Sequence, residues 1–507
     1  MYTFSSKLKT FSFVLMLVGI LGIGYGFLTA PKTIQDVEKI LKEEEAHHEG
    51  GHEAAAAHHE ATAESHEAAE THEAAAETTV DSTTVKHEEA VAATTHDTIA
   101  KDSAAVAAVP AAEAHTEKAE AHAEKADAHE AHDTKEHAEH VLHQLQNKPW
   151  AALYVACIFL MLISLGALAF YAIQQAAQAG WSPILFRVMQ GVASYLLPGS
   201  IIFFLLLLAC GFHMNHLFSW MAEGITVKGH ENYDAIIAGK SGYLNFPFWI
   251  IRAILFLTVW NLYRHYSRKN CLAQDESNDN TYYKKNFKMS AAFLVFFIVS
   301  ESIMSWDWIM SVDAHWFSTL FGWYVFASFI VSAVTVIQMV TLYLKSKGYL
   351  ENVNTSHIHD LSKFMFGFSV FWTYLWFSQF MLIWYANIPE EVTYFVTRIN
   401  VYTVTFWGAF VMNFIFPILL LINTDFKRIT WIIVMAGSII LIGHYVDFFN
   451  MIMPGTVGDR WFIGIPEISS LLFFIGLFIF VVFTTLTKVP LVPKRNPFIE
   501  ESKHFHY

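Results

Sequence analysis

The chain has 507 residues, of which 54% are apolar, and it contains 44 Phe and 15 Trp. Its mean hydropathy is positive, which argues against a soluble domain. The three cysteines are too few for an iron–sulfur cluster held by this chain alone, and no Cys-x-x-Cys-His motif attaches a c-type haem. Residues 33–149 hold 27 Asp and Glu against 8 Lys and Arg, so the acidity behind the net charge of −14 of the whole chain comes from that segment. The remaining residues carry about +5.

Ten predominantly apolar runs follow one another along the chain. They lie at 11–30, 151–175, 184–212, 246–263, 290–311, 319–344, 362–386, 400–422, 429–453 and 467–487. Most of them have the roughly 20 residues that a helix needs to cross about 30 Å of hydrocarbon. We therefore predict an all-α integral membrane protein with about ten transmembrane helices.

The charges of the loops predict how the runs are oriented. Lys7 and Lys9 precede the first run, which places the N-terminus in the cytoplasm by the positive-inside rule. With this orientation the cytoplasmic loops after helices 4, 6 and 8 and the C-terminal tail are basic. Their basic residues are Arg264, Arg268, Lys269, Lys284, Lys285, Lys288, Lys345, Lys347, Lys363, Lys427, Arg428, Lys488, Lys494 and Arg495. The opposite loops carry acids such as Asp313, Glu390, Glu391 and Asp459. Both termini are predicted to be cytoplasmic.

The N-terminal part divides into two predicted segments. Residues 1–32 form a transmembrane helix, although a cleaved signal peptide is the alternative. Residues 33–149 form a low-complexity insert rich in His, Ala and Glu, predicted to be periplasmic, in which 112–146 favour a helix. Its histidines suit a metal or proton buffer, but no His spacing recurs, which favours a simple spacer. Residues 150–490 form the membrane domain, and residues 491–507 a cytoplasmic tail.

Ionisable groups inside the fifth run are candidates for proton handling. Charged side chains at bilayer depth are costly, and they usually face the protein interior and mark a pathway or an ion pair. Glu301 lies in the middle of this run, Asp307 nearer its end, and Asp313 and His315 follow at its mouth. A poorly solvated carboxylate can carry a proton near neutral pH. The alternative is that these acids form ion pairs or caps that only fix packing.

The ninth run carries a second set of polar groups. His444, Asp447 and Asn450 are spaced by threes and share one helical stripe. An acid–imidazole pair at this depth could relay protons, or it could be a mutually satisfied structural pair. In the seventh run the stripe of Tyr374, Ser378, Met381 and Tyr385 favours core packing over a ligand site. No Gly-rich phosphate loop indicates an ATP-driven pump, and the few histidines in the runs provide no obvious haem or copper site.

Two blocks of sequence resemble a known family. The block 305–322 contains Trp306-Asp307-Trp308 and a trailing His315-Trp316, and the block 377–391 ends in Asn387-Ile388-Pro389-Glu390-Glu391. Both resemble the membrane subunits of alternative complex III, a bacterial quinol:cytochrome c oxidoreductase. The similarity is to its F subunit, which is itself similar to the NrfD/polysulfide-reductase membrane protein. The resemblance covers roughly residues 150–490.

The resemblance implies two four-helix bundles, helices 2–5 and 6–9, flanked by helices 1 and 10. It implies a sister NrfD-like quinol-binding subunit, multihaem and monohaem cytochrome c subunits, an iron–sulfur subunit and small membrane subunits in a bacterial inner membrane. Menaquinol, haem c and iron–sulfur clusters would then belong to the complex, and this chain would need no cofactor, metal or nucleic acid. Its expected role is structural, with a proton path through Glu301, Asp307, His444 and Asp447.

Two other functions stay open. A proton-coupled secondary transporter also uses carboxylates near the membrane midplane, but its helices are often broken at matching positions in two halves. Here the apolar runs are mostly unbroken, with Pro198 and Pro417 the main exceptions, which disfavours transport. A scaffold that only anchors peripheral proteins is the third possibility, and neutralising the buried acids would then leave the complex fully active.

Overall fold

The computed structural model describes residues 2–43 and 114–506, and of residues 114–136 only the helical backbone. The chain divides into two compact units, one of Met1–Lys32 with Val141–Tyr507 and one of Thr33–His140. The second unit contains a helix at 34–43 and the start of the helix Ala114–Ala176. Most of the predicted low-complexity insert, residues 44–113, lies outside the described residues.

The described part of the chain is helical, and ten of its helices are long and apolar enough to span a membrane. They are α1 Ser6–Thr29, α2 His137–Ala176, α3 Pro183–Gly211, α4 Phe246–Glu276, α5 Thr281–Val312, α6 Phe321–Ser346, α7 Thr355–Ala386, α8 Thr403–Leu421, α9 Thr430–Val457 and α10 Ile465–Leu486. Each coincides with one of the ten apolar runs. The prediction of an all-α integral membrane protein with ten spanning helices is therefore confirmed.

The helices α2–α5 are here called the first group and α6–α9 the second group, and the two groups pack on each other where α5 contacts α6 and Phe159 of α2 contacts Tyr445 of α9. In the first group α4 packs on α3 and on α5, and α2 reaches α5 through the Tyr154 hydroxyl, which donates to the Trp308 carbonyl at 2.7 Å. In the second group α6 packs on α7 and α9, and α8 packs on α7 and α9. The helices α2 and α6 are almost wholly buried. Helices α1 and α10 pack closely on each other, with Gly19 of α1 against the backbone of Phe473, and α10 also packs on the first part of α3.

Internal prolines lie in four of the spanning helices, Pro149 in α2 and one each in α3, α8 and α9, and proline has no N–H for the carbonyl four residues earlier. In α3 the helix breaks at Ser194, four residues before Pro198. In α8 a π-helical segment, Val411–Ile415, precedes Pro417. Pro454 lies within α9 and leaves the carbonyl of Asn450 without its helical partner. The interruptions in α8 and α9 place irregular backbone beside the polar residues described below.

Successive loops lie alternately at the two ends of the helices. At one end, here called the acidic-loop end, Trp316 after α5 stacks on Tyr394 after α7, with ring centroids 3.8 Å apart. At the opposite, basic-loop end, Arg187 near the start of α3 pairs with Asp275 near the end of α4 at 2.6 Å. The backbone N–H of Lys494 donates to the same Asp275 carboxylate at 2.8 Å.

Candidate functional site

A cluster of buried polar side chains surrounds Asp447 on the inner face of α9. Residues spaced by three or four share one face of a helix, so His444 and Asp447 both point away from lipid, with 0% and 2% of their surfaces exposed. Helix α9 packs on α6 and α8. The spacing places the acid and the imidazole on one face of α9, and the packing of α9 places that face inside the second helix group.

Three neutral donors hold the Asp447 carboxylate. The Tyr324 hydroxyl donates to Oδ1, and Ser328 Oγ and Trp372 Nε1 each donate to Oδ2 at 2.9 Å. In the part of the chain that is described, no Lys or Arg forms an ion pair with this carboxylate, and the nearest basic group is His444 Nδ1 at 3.8 Å. Asp447 is thus hydrogen-bonded to hydroxyl and indole groups and is not paired with a Lys or Arg among the described residues.

The hydrogen bonds define a continuous chain from His444 to Asp447. Ser328 Oγ lies 2.9 Å from His444 Nδ1 as well as from Asp447 Oδ2. A serine hydroxyl has one proton, so when it donates to Asp447 the imidazole must donate from Nδ1. His444 Nε2 then carries the lone pair, and among the described residues it has no hydrogen-bond partner. Protons can pass along such a chain by exchange between neighbouring groups.

The π-helical segment of α8 packs on α9 at Gly443, the residue before His444. A Cβ on Gly443 would come within 2.2 Å of Asn413 Oδ1, so only glycine allows α8 and α9 to approach this closely. Asn413 is fully buried, and neither its Oδ1 nor its Nδ2 has a partner in the described part of the chain. Buried amides of this kind need partners, and π-bulges are frequent at functional sites.

Arg398 closes the cluster toward the acidic-loop end. It lies on the helix Pro389–Asn400 that follows α7, and its guanidinium stacks on the Tyr394 ring at 3.2 Å. Its Nε donates at 3.0 Å to the carbonyl of Asn450, which Pro454 has freed. Its terminal nitrogens donate to the carbonyls of Tyr394 and Met451 at 2.8 and 3.4 Å. Burial raises the pKa of Tyr394 to about 12, so this hydroxyl stays protonated near neutral pH.

A small cavity separates Arg398 from Asp447. Gln379, Tyr324 and Asn450 also line it, and it offers about 10 Å³ to the centres of water molecules, which is room for about one. The side-chain oxygens of Gln379 and Asn450 are buried without a partner in the described residues. Polar atoms around a space of this size suit a bound water, which would connect the cluster to the acidic-loop end.

Glu301 forms a second, separate buried acid on α5. Only 3% of its surface is exposed, and its carboxylate accepts hydrogen bonds from Ser305 at 3.3 Å and Ser302 at 3.2 Å. No basic side chain in the described residues forms an ion pair with it. Helix α6 packs on both α5 and α9, and it stands between Glu301 and the Asp447 cluster.

Asp307, nearly two turns beyond Glu301, has a different environment. Arg252 of α4 binds it bidentately, with Nε 2.6 Å from Oδ2 and a terminal nitrogen 2.8 Å from Oδ1. The guanidinium is held between the rings of Tyr243 and Phe248 at 4.1 and 4.3 Å. A bidentate arginine stabilises the ionised carboxylate, so this predicted proton-pathway residue is better suited to a structural ion pair.

The two remaining candidates lie in the loop after α5. Asp313 is partly exposed, and the His315 side chain is 50% exposed, with Nε2 2.6 Å from Asp234. Asp234 accepts the backbone N–H groups of Ile236 and Ile237 at the start of a short helix. The hydrogen bond from Ile237, assisted by His315, lowers the pKa of Asp234. His315 is therefore a surface contact at the acidic-loop end.

Sequence patterns missed several members of the cluster. Tyr324, Ser328 and Trp372 lie in apolar stretches of α6 and α7, and Arg398 lies in a loop by hydropathy. The predicted core stripe of α7 is wrong, because Tyr374 and Tyr385 are 66% and 84% exposed. The neighbouring face with Trp372 and Gln379 is the buried one. A signal for it existed in the spacing of Trp372, Trp376 and Gln379 by fours and threes.

The sequence matches no protein-family model and no curated protein. Within the described ranges, no group of three or more His, Cys, Asp or Glu side chains could hold a metal ion. Cys157, Cys210 and Cys271 are free and buried. The chemistry available at the Asp447 cluster is accordingly that of hydroxyl, carboxyl, imidazole and guanidinium groups, which exchange protons and form hydrogen bonds.

Proposed function

We propose that this chain is a membrane subunit of a bacterial respiratory quinol:cytochrome c oxidoreductase of the alternative complex III type. In this proposal the chain holds no redox centre and contributes a proton path. The resemblance of the blocks 305–322 and 377–391 supports the family. Its partners would be a sister NrfD-like quinol-binding subunit, cytochrome c subunits and an iron–sulfur subunit, with menaquinol, haem c and iron–sulfur clusters as the redox groups.

The observation that carries the proton role is the environment of Asp447. Acids buried at bilayer depth are costly and are usually paired with a cation when they serve only packing. Asp447 is bonded to Tyr324, Ser328 and Trp372 instead. Each hydroxyl, carboxyl or imidazole group of the cluster can accept and release a proton without moving far.

The proposed path begins at the acidic-loop end beside Arg398. A proton would pass through the small cavity to Asp447, and the protonated acid would then donate to Ser328 Oγ. The Ser328 hydroxyl would in turn donate to Nδ1 of the His444 tautomer that carries its proton on Nε2, and that Nε2 proton would leave toward Asn413 in α8. Arg398 has three hydrogen bonds to backbone carbonyls, which hold its guanidinium beside the cavity. Glu301 would serve a separate step, because α6 lies between it and this cluster.

Purification from the native membrane tests the family. We expect the chain to co-isolate with subunits that carry c-type haem, and the preparation to reduce cytochrome c with a menaquinol analogue. Haem-stained gels and visible spectra measure the first, and absorbance at the cytochrome c band measures the second. Recovery of the chain without any haem protein and without this activity would refute the proposal.

The variant Asp447→Asn tests the proton path within the intact complex. The amide keeps the volume but cannot carry a proton, so we expect turnover-linked proton release in proteoliposomes to fall at least roughly tenfold. Asp459→Asn is the matched control, because this acid is 65% exposed in a loop at the same end. Unchanged proton release in both Asp447→Asn and Glu301→Gln would leave a scaffold as the role of this chain.

A proton-coupled secondary transporter is the second candidate, and the breaks in α3 and α8 favour it. Broken spanning helices with free backbone groups form the substrate sites of many transporters. In this chain α3 breaks before Pro198, and α8 becomes π-helical before Pro417. Isolation as a single polypeptide that dissipates a proton gradient when reconstituted alone would favour this candidate over the oxidoreductase subunit.

A further inference from the structure

A long groove opens on the surface between α3 and α4. Its volume is about 540 Å³, within the range of sites for small molecules. Apolar side chains that are 44–59% exposed form its walls, namely Leu197, Ile201, Leu205, Ile254 and Leu262. From Ile254 to His265 the groove follows α4 for about 16 Å, which is about half of a hydrocarbon core of roughly 30 Å. The groove thus has the length of one membrane leaflet.

The charged groups lie at the end of the groove nearest the basic loops, with Asn261 beside them and Thr258 nearer the middle. Asn261 donates from Nδ2 to Ser200 Oγ at 3.0 Å and to the Leu257 carbonyl at 2.9 Å. Its Oδ1 accepts a hydrogen bond from Arg264 Nε at 3.2 Å. This contact orients the guanidinium and leaves its two terminal nitrogens without a hydrogen bond in the described part of the chain. The exposed imidazole of His265 lies beside it.

The charge at this end is positive and has no carboxylate to balance it. No acidic residue lines the groove. One turn further along α4 come Arg268, which donates to the Thr485 carbonyl at 3.3 Å, and the exposed Lys269. The next acid on the helix, Asp275, already pairs with Arg187 at 2.6 Å. The Arg264 guanidinium therefore lies ready for an external anion.

We propose that this groove binds one anionic phospholipid, with an acyl chain along α3 and α4 and the phosphate on Arg264. Guanidinium groups bind phosphate oxygens in pairs through their planar N–H groups. A neutral isoprenoid lipid would fill the walls but leave Arg264 without a counter-charge at the membrane boundary.

Native mass spectrometry of the purified full-length protein, alone or in its complex, tests the site with phosphatidylglycerol and phosphatidylcholine as probes. We expect one phosphatidylglycerol to be retained, and its retention to fall about tenfold in Arg264→Gln. Ile201→Trp should reduce it by filling the apolar wall without touching the charge. Lys285→Gln is the matched control, since Lys285 is an exposed base at the same end and outside the groove.

Size-exclusion profiles and thermal transitions show whether each variant is folded before its lipid content is compared. Equal retention of phosphatidylcholine and phosphatidylglycerol would overturn the proposal, as would unchanged retention in Arg264→Gln. A neutral isoprenoid lipid recovered in place of the phospholipid would also overturn it. So would a neighbouring subunit seated over Ile201 and Ile254 in the native complex. Loss of phosphatidylglycerol from both Arg264→Gln and Ile201→Trp, with Lys285→Gln unaffected, would support it.

Discussion

Asp307 and Asp447 are both buried aspartates on spanning helices, yet their partners differ in kind. Asp307 receives a bidentate arginine, whereas Asp447 receives a phenol, a hydroxyl and an indole. An arginine at hydrogen-bond distance compensates the charge of a carboxylate, whereas a phenol, a hydroxyl and an indole donate hydrogen bonds without a compensating positive charge. The comparison teaches that depth in the membrane does not identify a proton carrier and that the partners of the acid do.

The largest effect is expected from Arg252→Gln in the first helix group. Removing one member of a buried ion pair leaves an uncompensated charge and costs roughly 3–5 kcal/mol. Thermal unfolding in detergent, followed by circular dichroism, measures this loss. The double variant Arg252→Gln with Asp307→Asn should recover part of it, because the remaining groups are then neutral. A double variant as unstable as Arg252→Gln alone would show that the guanidinium acts through its packing on Tyr243 and Phe248.

Arg398→Gln should cost less, about 2–3 kcal/mol, although its guanidinium is also buried. It donates to backbone carbonyls and not to an acid, so its loss exposes no opposite charge. In a Pro454→Ala background the new N–H can satisfy the Asn450 carbonyl. The cost of Arg398→Gln should therefore shrink in that background, as a double-mutant cycle in the same unfolding assay would measure. An unchanged cost would mean that Arg398 does not replace the hydrogen bond that Pro454 removes.

The contrast between the two acids could be predicted only in part from the sequence. Hydropathy located all ten spanning helices, because twenty apolar residues are a strong signal. Periodicity placed Glu301, Asp307, His444 and Asp447 on buried faces. It could not assign Arg252 to Asp307, since a contact between α4 and α5 depends on how the helices pack. Tyr324 and Ser328 carry no signal either, because hydroxyl groups are common in apolar helices and only a neighbouring acid gives them a role.

Ser328→Ala should have a smaller effect on stability, about 1–2 kcal/mol. The substitution removes the hydroxyl that joins His444 to Asp447 while leaving both in place. Ser332→Ala is the matched control one turn along α6, because its hydroxyl bonds only to the Ser328 carbonyl. Urea unfolding measures stability, and proton release in the intact complex measures the path. Equal behaviour of the two variants in both assays would remove Ser328 from the proposed chain.

Asp234→Asn should have the smallest effect, lowering the free energy of unfolding by a few tenths of a kcal/mol at neutral pH. This variant extends the comparison to an exposed contact between an acid and an imidazole. Asparagine also accepts the N–H of Ile237 as a helix cap, so only the charge is lost. Because folding lowers the pKa of Asp234, the carboxylate contributes stability above its unfolded pKa, and this is lost as the pH falls through the lower folded value. The melting temperature of the parent protein should therefore exceed that of Asp234→Asn at pH 6, and the two should converge near pH 2. A difference that persists at that pH would assign the effect to hydrogen-bond geometry. We expect an ion pair to contribute strongly to stability only when it is buried. A loss of stability in Asp234→Asn as large as that in Arg252→Gln would contradict this expectation.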